Sequence, residues 1–279
     1  MSKERLNDGL VIVLPGVEGH GPFNEAIRDG LAAGWVDCGI ELRDWTLPLG
    51  PLYNLRAEGR NRRKAAELAE RVIRYRTEYP GRPVVLVGQS GGGAIAVWAA
   101  EKLPPEHKVD GLILIAPALS PNYVLDGALA RSNRGIVNFH SSRDWFFLGV
   151  MTTVWGTMDG EHEVSAGRAG FEIPTGKEPA GGPQGRAELY QKLYQIGWSS
   201  EMAERGHHGW HITSGAAGFV AYYVAPFVLA GEWDSEFVSR VLSGTTFPEE
   251  AEPAPEPRPA TRPAPASRAE AEKSPAAGR

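Results

Sequence analysis

Short runs of consecutive apolar residues, rich in Val, Ile and Leu, recur along the chain. The clearest are 10–14, 84–88 and 112–116, and each ends at or just before a Gly or Pro. Such runs are typical of strands that are buried on both faces of a parallel sheet. Three further candidates complete a prediction of about six strands: 39–45, 135–140 and 194–199.

Segments with helical spacing of apolar residues separate these strand candidates. In 60–79, Ala65, Leu68, Ala69 and Val72 fall on one face of a helix. Other helices are predicted at 23–33, 94–103, 122–132 and 214–229. Strands that alternate with helices predict an α/β fold, in which helices cover both faces of a mostly parallel sheet. We assign residues 1–246 to this one domain.

The end of the chain has a different composition. From about Pro248 it consists largely of Pro, Ala, Glu and Arg and has no aromatic residue. A segment of this kind cannot bury enough apolar surface to offset its ordering entropy, so a disordered tail is predicted over 247–279. A spacer is the favoured role of the tail, and docking of an unknown partner is the alternative. A further loop is predicted over 176–185, which is rich in Gly and Pro.

Charge and cysteine content exclude several classes of protein. The 29 basic and 34 acidic residues give a net charge of -5, which provides no electrostatic attraction to nucleic acid. Cys38 is the single cysteine, so no internal disulfide can form. The sequence has no apolar run of the roughly 18 to 20 residues that a membrane span needs, and no signal peptide is recognised. A cytoplasmic location without a transmembrane segment is therefore expected.

One glycine-rich turn carries the clearest chemical signal. Gly88-Gln89-Ser90-Gly91-Gly92 has the form G-x-S-x-G and lies between a predicted strand and a predicted helix, as a nucleophile elbow does. Glycines there let the strand and the helix approach without a clash at Cβ. The alternative is a phosphate-binding turn, but the segment lacks both the G-x-G-x-x-G spacing and the lysine of a P-loop.

With this motif and its order along the chain, the sequence resembles the α/β-hydrolase superfamily of serine esterases and lipases. The resemblance implies Ser90 as nucleophile, followed by an acid after a later strand and then a histidine. Asp144, in the turn after strand 135–140, is the predicted acid, with Asp126 and Asp159 as rivals. His207 is the predicted base because it follows a glycine, as the catalytic histidine of relatives commonly does. His208 and His211 remain alternatives.

The resemblance also implies an oxyanion hole, with the backbone N–H groups of Val17 and Gly91 as donors. The sheet is expected to be shortened at its N-terminal edge, and the chain leaves little room for a large lid domain.

Clustered histidines raise the question of a metal site, but Gly206 and Gly209 break any helix there and no Glu has the H-E-x-x-H spacing. Neither a metal nor a cofactor is therefore predicted.

The predicted function is that of a serine hydrolase. It cleaves a small-molecule carboxylic ester or thioester through a Ser-His-Asp triad and an acyl-enzyme. Two alternatives stay open. One is transfer of the acyl group to an acceptor other than water by the same residues, and the other is a non-catalytic scaffold with a hydrolase-like fold.

Overall fold

Six parallel strands form the centre of the computed structural model, which describes residues 2–144, 156–174 and 182–246. They are β1 (Leu10–Leu14), β2 (Gly39–Leu42), β3 (Val84–Gln89), β4 (Gly111–Ile115), β5 (Ile136–His140) and β6 (Leu193–Gly197). Their spatial order is β2-β1-β3-β4-β5-β6, and every neighbouring pair is parallel. The predicted α/β class and its six strands are confirmed.

Helices connect the strands and cover the sheet. Three of them are longer than ten residues, and one of these three comes directly after Ser90 at the end of β3. The helices are α1 (Lys3–Leu6), α2 (Pro22–Ala33), α3 (Pro51–Arg56), α4 (Glu58–Glu78), α5 (Gly91–Lys102), α6 (Asp126–Ala130), α7 (Ala166–Ala169), α8 (Gly182–Tyr190), α9 (Ala217–Phe219), α10 (Ala225–Leu229) and α11 (Ser235–Ser243). A π-helical turn, Val220–Val224, joins α9 to α10, and 3-10 turns occupy Ser200–Arg205 and His211–Thr213.

Each face of the sheet has its own apolar core. Alternate residues of the central strands, such as Ile12 and Leu86, pack with α4 and α5 on one face. Their neighbours Val11 and Val85 pack with α2 and the α9–α10 segment on the other. Because side chains point to opposite faces in turn, a strand covered on both sides must be apolar throughout. This double cover explains the uninterrupted apolar runs of β1, β3 and β4.

Several element boundaries differ from the sequence predictions. Strand 39–45 ends at Leu42, and segment 122–132 forms a helix only at Asp126–Ala130. Helix 214–229 begins at Ala217 and contains the π-helical turn just before α10. Pro226 lies in the first turn of α10 and has no N–H to donate to the carbonyl four residues earlier, which accounts for the widened turn ahead of it.

The predicted loop at 176–185 is partly wrong, because α8 begins at Gly182. Residues 175–181, the apolar stretch 145–155 and the tail from residue 247 lie outside the described residues, so the tail and the domain boundary at 246 stay predictions. Among the helices of the described ranges, none is both long enough and apolar enough to cross a membrane.

The parallel arrangement brings the chemically interesting loops to one edge of the sheet. The carboxyl ends of parallel strands share an edge, and ligands of open α/β sheets bind there. Val17 follows β1, Ser90 follows β3 and Asp144 follows β5. The histidine loop, residues 206–211, follows β6. All four predicted components of the site therefore belong to loops at this edge.

Candidate active site

Ser90 occupies a strained turn between β3 and α5. Its φ of 52° and ψ of -121° are unusual for a residue other than glycine. Three backbone hydrogen bonds hold it there: the Ser90 N–H donates to Ile115 O (2.9 Å), and its carbonyl accepts from Gly93 (3.0 Å) and Ala118 (3.1 Å). A strained backbone conformation of this kind is kept only where the surrounding structure imposes it, and such strain is typical of functional sites. The geometry is that of a nucleophile elbow.

The glycines of the motif permit the close packing that the turn requires. A Cβ on Gly92 would overlap the carbonyl oxygens of Leu14 and Pro15 at the end of β1. A Cβ on Gly88 would lie 2.5 Å from the carbonyl oxygen of Gly92. The first turn of α5 therefore rests directly on the backbone of β1 and β3, and the serine is carried on a rigid support.

Asp144 pairs with His211. Nδ1 of His211 lies 2.8 Å from Oδ2 of Asp144, and the two side chains are 12% and 3% exposed. A buried carboxylate that accepts from Nδ1 fixes the tautomer of the ring and leaves Nε2 as the atom able to accept a proton. The pair has the arrangement of the acid and base in a catalytic triad.

The predicted pairing of Asp144 with His207 is not formed. Nδ1 of His207 lies 3.3 Å from Oγ1 of Thr213, and its ring packs edge-on against Phe219 at 4.7 Å between centroids. Burial, with smaller contributions from the neighbouring His208 and His211, lowers the pKa of His207 to about 4. A histidine with this pKa is neutral near pH 7 and is packed as part of the core.

The course of the histidine loop explains this correction. Gly206 and Gly209 both adopt positive φ, 90° and 85°, so the chain turns sharply before and after His207. Two side chains anchor the loop to neighbouring segments: Ser141 Oγ donates to Gly209 O (2.8 Å), and Trp198 Nε1 donates to His207 O (2.6 Å). The second turn brings His211 to the carboxylate. A glycine directly before a histidine is too weak a signal to identify the base, because a second glycine turn, at Gly209, redirects the loop after His207.

The rival residues have other partners. Asp126 forms an ion pair with Arg186 at 2.6 Å. Asp159 accepts hydrogen bonds from the backbone N–H of Ser120, at 3.0 Å, and from its hydroxyl. His208 is exposed. Within the described ranges, no group of three or more His, Cys, Asp or Glu side chains is arranged to hold a metal ion.

The two predicted oxyanion donors belong to adjacent backbone segments. A Cβ built on Gly91 would lie 2.8 Å from Cγ1 of Val17. Gly91 is the first residue of α5, so its N–H is among those that lack an acceptor within the helix. The positive end of the helix dipole adds to the stabilisation of negative charge at this position. The arrangement suits binding of an oxyanion next to Ser90.

Comparison with known proteins agrees with the fold. A family model described as serine aminopeptidase, S33, matches residues 63–143, which include most of α4, Ser90 and the strands β3 to β5. The match covers less than a third of the chain. A search of curated proteins finds no match. With its all-parallel sheet, the chain has the α/β-hydrolase fold, and the match supports a hydrolase of this type.

Proposed function

We propose that the protein is a serine hydrolase that cleaves a carboxylic ester or a thioester through an acyl-enzyme. The observation that carries the proposal is the Asp144–His211 pair, on loops at the sheet edge where Ser90 occupies its strained turn. A carboxylate, an oriented imidazole and a serine are the components of a triad, which is recognised by geometry and not by sequence position.

In the proposed mechanism, Ser90 Oγ attacks the substrate carbonyl while Nε2 of His211 takes its proton. Asp144 holds Nδ1–H and stabilises the imidazolium that forms. The N–H groups of Val17 and Gly91 bind the oxyanion, and each such donor contributes on the order of 3 kcal/mol to the transition state. His211 then protonates the leaving group. Water, activated by the same histidine, releases the acid.

His211 replaces His207 as the proposed base for two reasons. The Nδ1 partner of His207 is a hydroxyl, whereas that of His211 is a buried carboxylate, which fixes the tautomer and orientation of the ring. A general base works best when its pKa lies near the working pH, and the pKa of His207 is lowered to about 4. Replacement of each histidine in turn tests this assignment.

The rest of the proposal concerns substrate and location. A small-molecule acyl ester or thioester is proposed as the substrate, without nucleic acid as a partner, because the net charge of -5 disfavours polyanions. A cytoplasmic location is supported by the lone Cys38, which is free in the structure. The name of the matched family adds peptide cleavage as an outcome that the substrate panel must cover.

Covalent labelling with a fluorophosphonate probe, followed by peptide mapping, tests the proposal. We expect labelling of the wild type at Ser90 and none of Ser90→Ala. The matched control is Ser132→Ala, since Ser132 is also buried but donates to Gly135 O within its own turn. This control should label like the wild type. A folded wild type that stays unlabelled would contradict the triad and favour the scaffold alternative.

A substrate panel then separates the remaining classes. It contains p-nitrophenyl esters of increasing acyl length, acyl thioesters and aminoacyl p-nitroanilides, each with and without an added alcohol. Hydrolysis of esters or thioesters supports the proposal. Turnover of the anilides alone would replace it by peptide cleavage, and acylated alcohol as main product would replace it by acyl transfer.

A further inference from the structure

Residues 44–54 hold the loop that carries Val17. Trp45 Nε1 donates to Pro15 O (2.8 Å), and the backbone N–H of His20 donates to Asp44 Oδ2 (3.2 Å). Between these two contacts, Asn54 Nδ2 donates to Val17 O (3.0 Å). The loop is thus bound to this segment at its start, middle and end.

Asn54 is the most constrained of these contacts. It is the one residue of α3 that is buried, at 2% exposure, and its side chain also bonds the backbone of Leu47. Nδ2 donates to Leu47 O (3.0 Å) and Oδ1 accepts from Leu47 N (2.9 Å). Both protons of the amide therefore have acceptors. A buried amide is stable only with such partners, so its orientation is fixed.

The contact with Val17 O is one of two restraints on the direction of the Val17 N–H. That N–H belongs to the peptide group whose carbonyl is Gly16 O, which accepts from Gly19 N (3.1 Å). The next peptide group is held by Asn54 through Val17 O. With the peptide groups on both sides of the Val17 Cα restrained, its N–H has little freedom to rotate. A donor aimed in advance at the oxyanion needs no reorganisation during the reaction.

We propose that Asn54 is a positioning residue that aims the Val17 N–H at the oxyanion. This role rests on the proposed function, because it acts through a donor of that mechanism. Asn54 bonds the carbonyl of Val17 and not the N–H that would bind the oxyanion, so it would act through Val17. Its loss should weaken transition-state binding and leave ground-state binding of the ester unchanged.

Two variants remove the contact in different ways. Asn54→Asp is isosteric and keeps an acceptor for Leu47 N, but it places an oxygen against the carbonyls of Val17 and Leu47. Asn54→Ala removes every side-chain hydrogen bond. Loss of an oxyanion donor lowers kcat by about 10² to 10³. For a donor that is misdirected but present, we expect a decrease of about tenfold.

The matched control is Asn61→Ala. Asn61 is fully buried, and its Nδ2 donates to Asn54 O (2.6 Å), so it joins α4 to α3 and bonds the backbone of Asn54 and not its side chain. The measurements are kcat, KM, thermal unfolding, and inhibition by a trifluoromethyl ketone of the best substrate. This inhibitor forms a tetrahedral adduct whose oxyanion requires the Val17 N–H.

We expect both Asn54 variants to lose kcat and inhibitor affinity in parallel, with KM within twofold and with labelling at Ser90 retained. Asn61→Ala should keep kcat even where its unfolding temperature falls as much. The positioning role is overturned by an unchanged kcat in Asn54→Asp, or by equal losses of kcat in the Asn54 and Asn61 variants. An inert, unlabelled wild type overturns the proposed function itself, and the positioning role with it.

Discussion

Nδ1 of His211 lies 2.8 Å from Oδ2 of Asp144. Asp144 follows β5, and His211 is on the loop that follows the neighbouring strand β6. Four residues earlier on the same loop, His207 is buried against Phe219 and has a hydroxyl as its Nδ1 partner. Two histidines of one short loop thus have opposite environments. A carboxylate orients the ring of His211, whereas burial keeps that of His207 neutral near pH 7.

Replacement of the two histidines should have different effects. We expect His211→Ala to lower kcat/KM for the best ester about 10³-fold or more, because the proton acceptor is lost. His207→Gln should keep activity within about fivefold and lower the unfolding temperature, because a buried ring is replaced. Steady-state kinetics and thermal unfolding on both variants check this. A larger kinetic loss in His207→Gln would return the base to that residue.

The acid can be tested in the same way. Asp144→Asn removes the carboxylate that holds the tautomer of His211, and we expect kcat to fall by about 10³ to 10⁴. Asp159→Asn is the control, because Asp159 accepts its hydrogen bonds from Ser120. Its kcat should stay close to that of the wild type. Equal losses in the two variants would argue against Asp144 as the acid.

The stability of the protein should depend on pH through His207. Its pKa of about 4 in the folded state lies below the ordinary value of 6.5, so the unfolded chain takes up the proton first as the pH falls. The contribution of the neutral ring is complete above pH 6.5 and is lost as the pH approaches 4. Between pH 8 and pH 5 the free energy of unfolding should fall by about 2 kcal/mol from this group.

Urea unfolding at pH 8 and pH 5 measures this dependence. In His207→Gln, position 207 has no group that titrates in this range. Between pH 8 and pH 5 the free energy of unfolding of this variant should therefore fall by about 2 kcal/mol less than that of the wild type. Other groups titrate equally in the two proteins and cancel in the comparison. Parallel pH profiles for the two proteins would show that His207 is not held neutral.

The elbow glycines should tolerate no side chain. Gly92→Ala would place a Cβ against the carbonyl oxygens of Leu14 and Pro15, and we expect it to destabilise the fold by about 1–3 kcal/mol and to reduce labelling of Ser90. Gly59→Ala is the control, since a Cβ there has nothing within 4 Å and lies in the first turn of α4. Its stability should be unchanged or slightly higher.

Trp45 offers a second test of the loop that carries Val17. Trp45→Phe keeps an aromatic ring at this position but loses the hydrogen bond to Pro15 O, and kcat should fall about three- to tenfold. Trp98→Phe is the control, because Trp98 is also buried but its Nε1 has no hydrogen-bond partner within the described residues. That variant should lose stability and keep kcat. A similar kcat for the two variants would contradict the role given to Trp45.

The sheet and the nucleophile turn were predictable from local sequence. Uninterrupted apolar runs predicted β1, β3 and β4, because a strand covered on both faces leaves no position for a polar side chain. The turn at Ser90 was predictable because only glycines at Gly88 and Gly92 fit between strand and helix. Short helices such as α3 were missed, since six residues contain too little periodicity to detect.

The histidine that contacts Asp144 and the contacts that hold the loop with Val17 depended on tertiary structure. The sequence by itself determined the α/β class, the positions of the strands along the chain, the tight turn at Ser90 and the turn that bears Asp144. Each of these follows from steric or burial rules that act over a few residues. His211 lies 67 residues after Asp144 in the chain. Whether His211 or His207 contacts that carboxylate depends on how the loop after β6 folds over the loop after β5. The contact of Asn54 with Val17 likewise spans 37 residues, and no local pattern encodes such distant pairs.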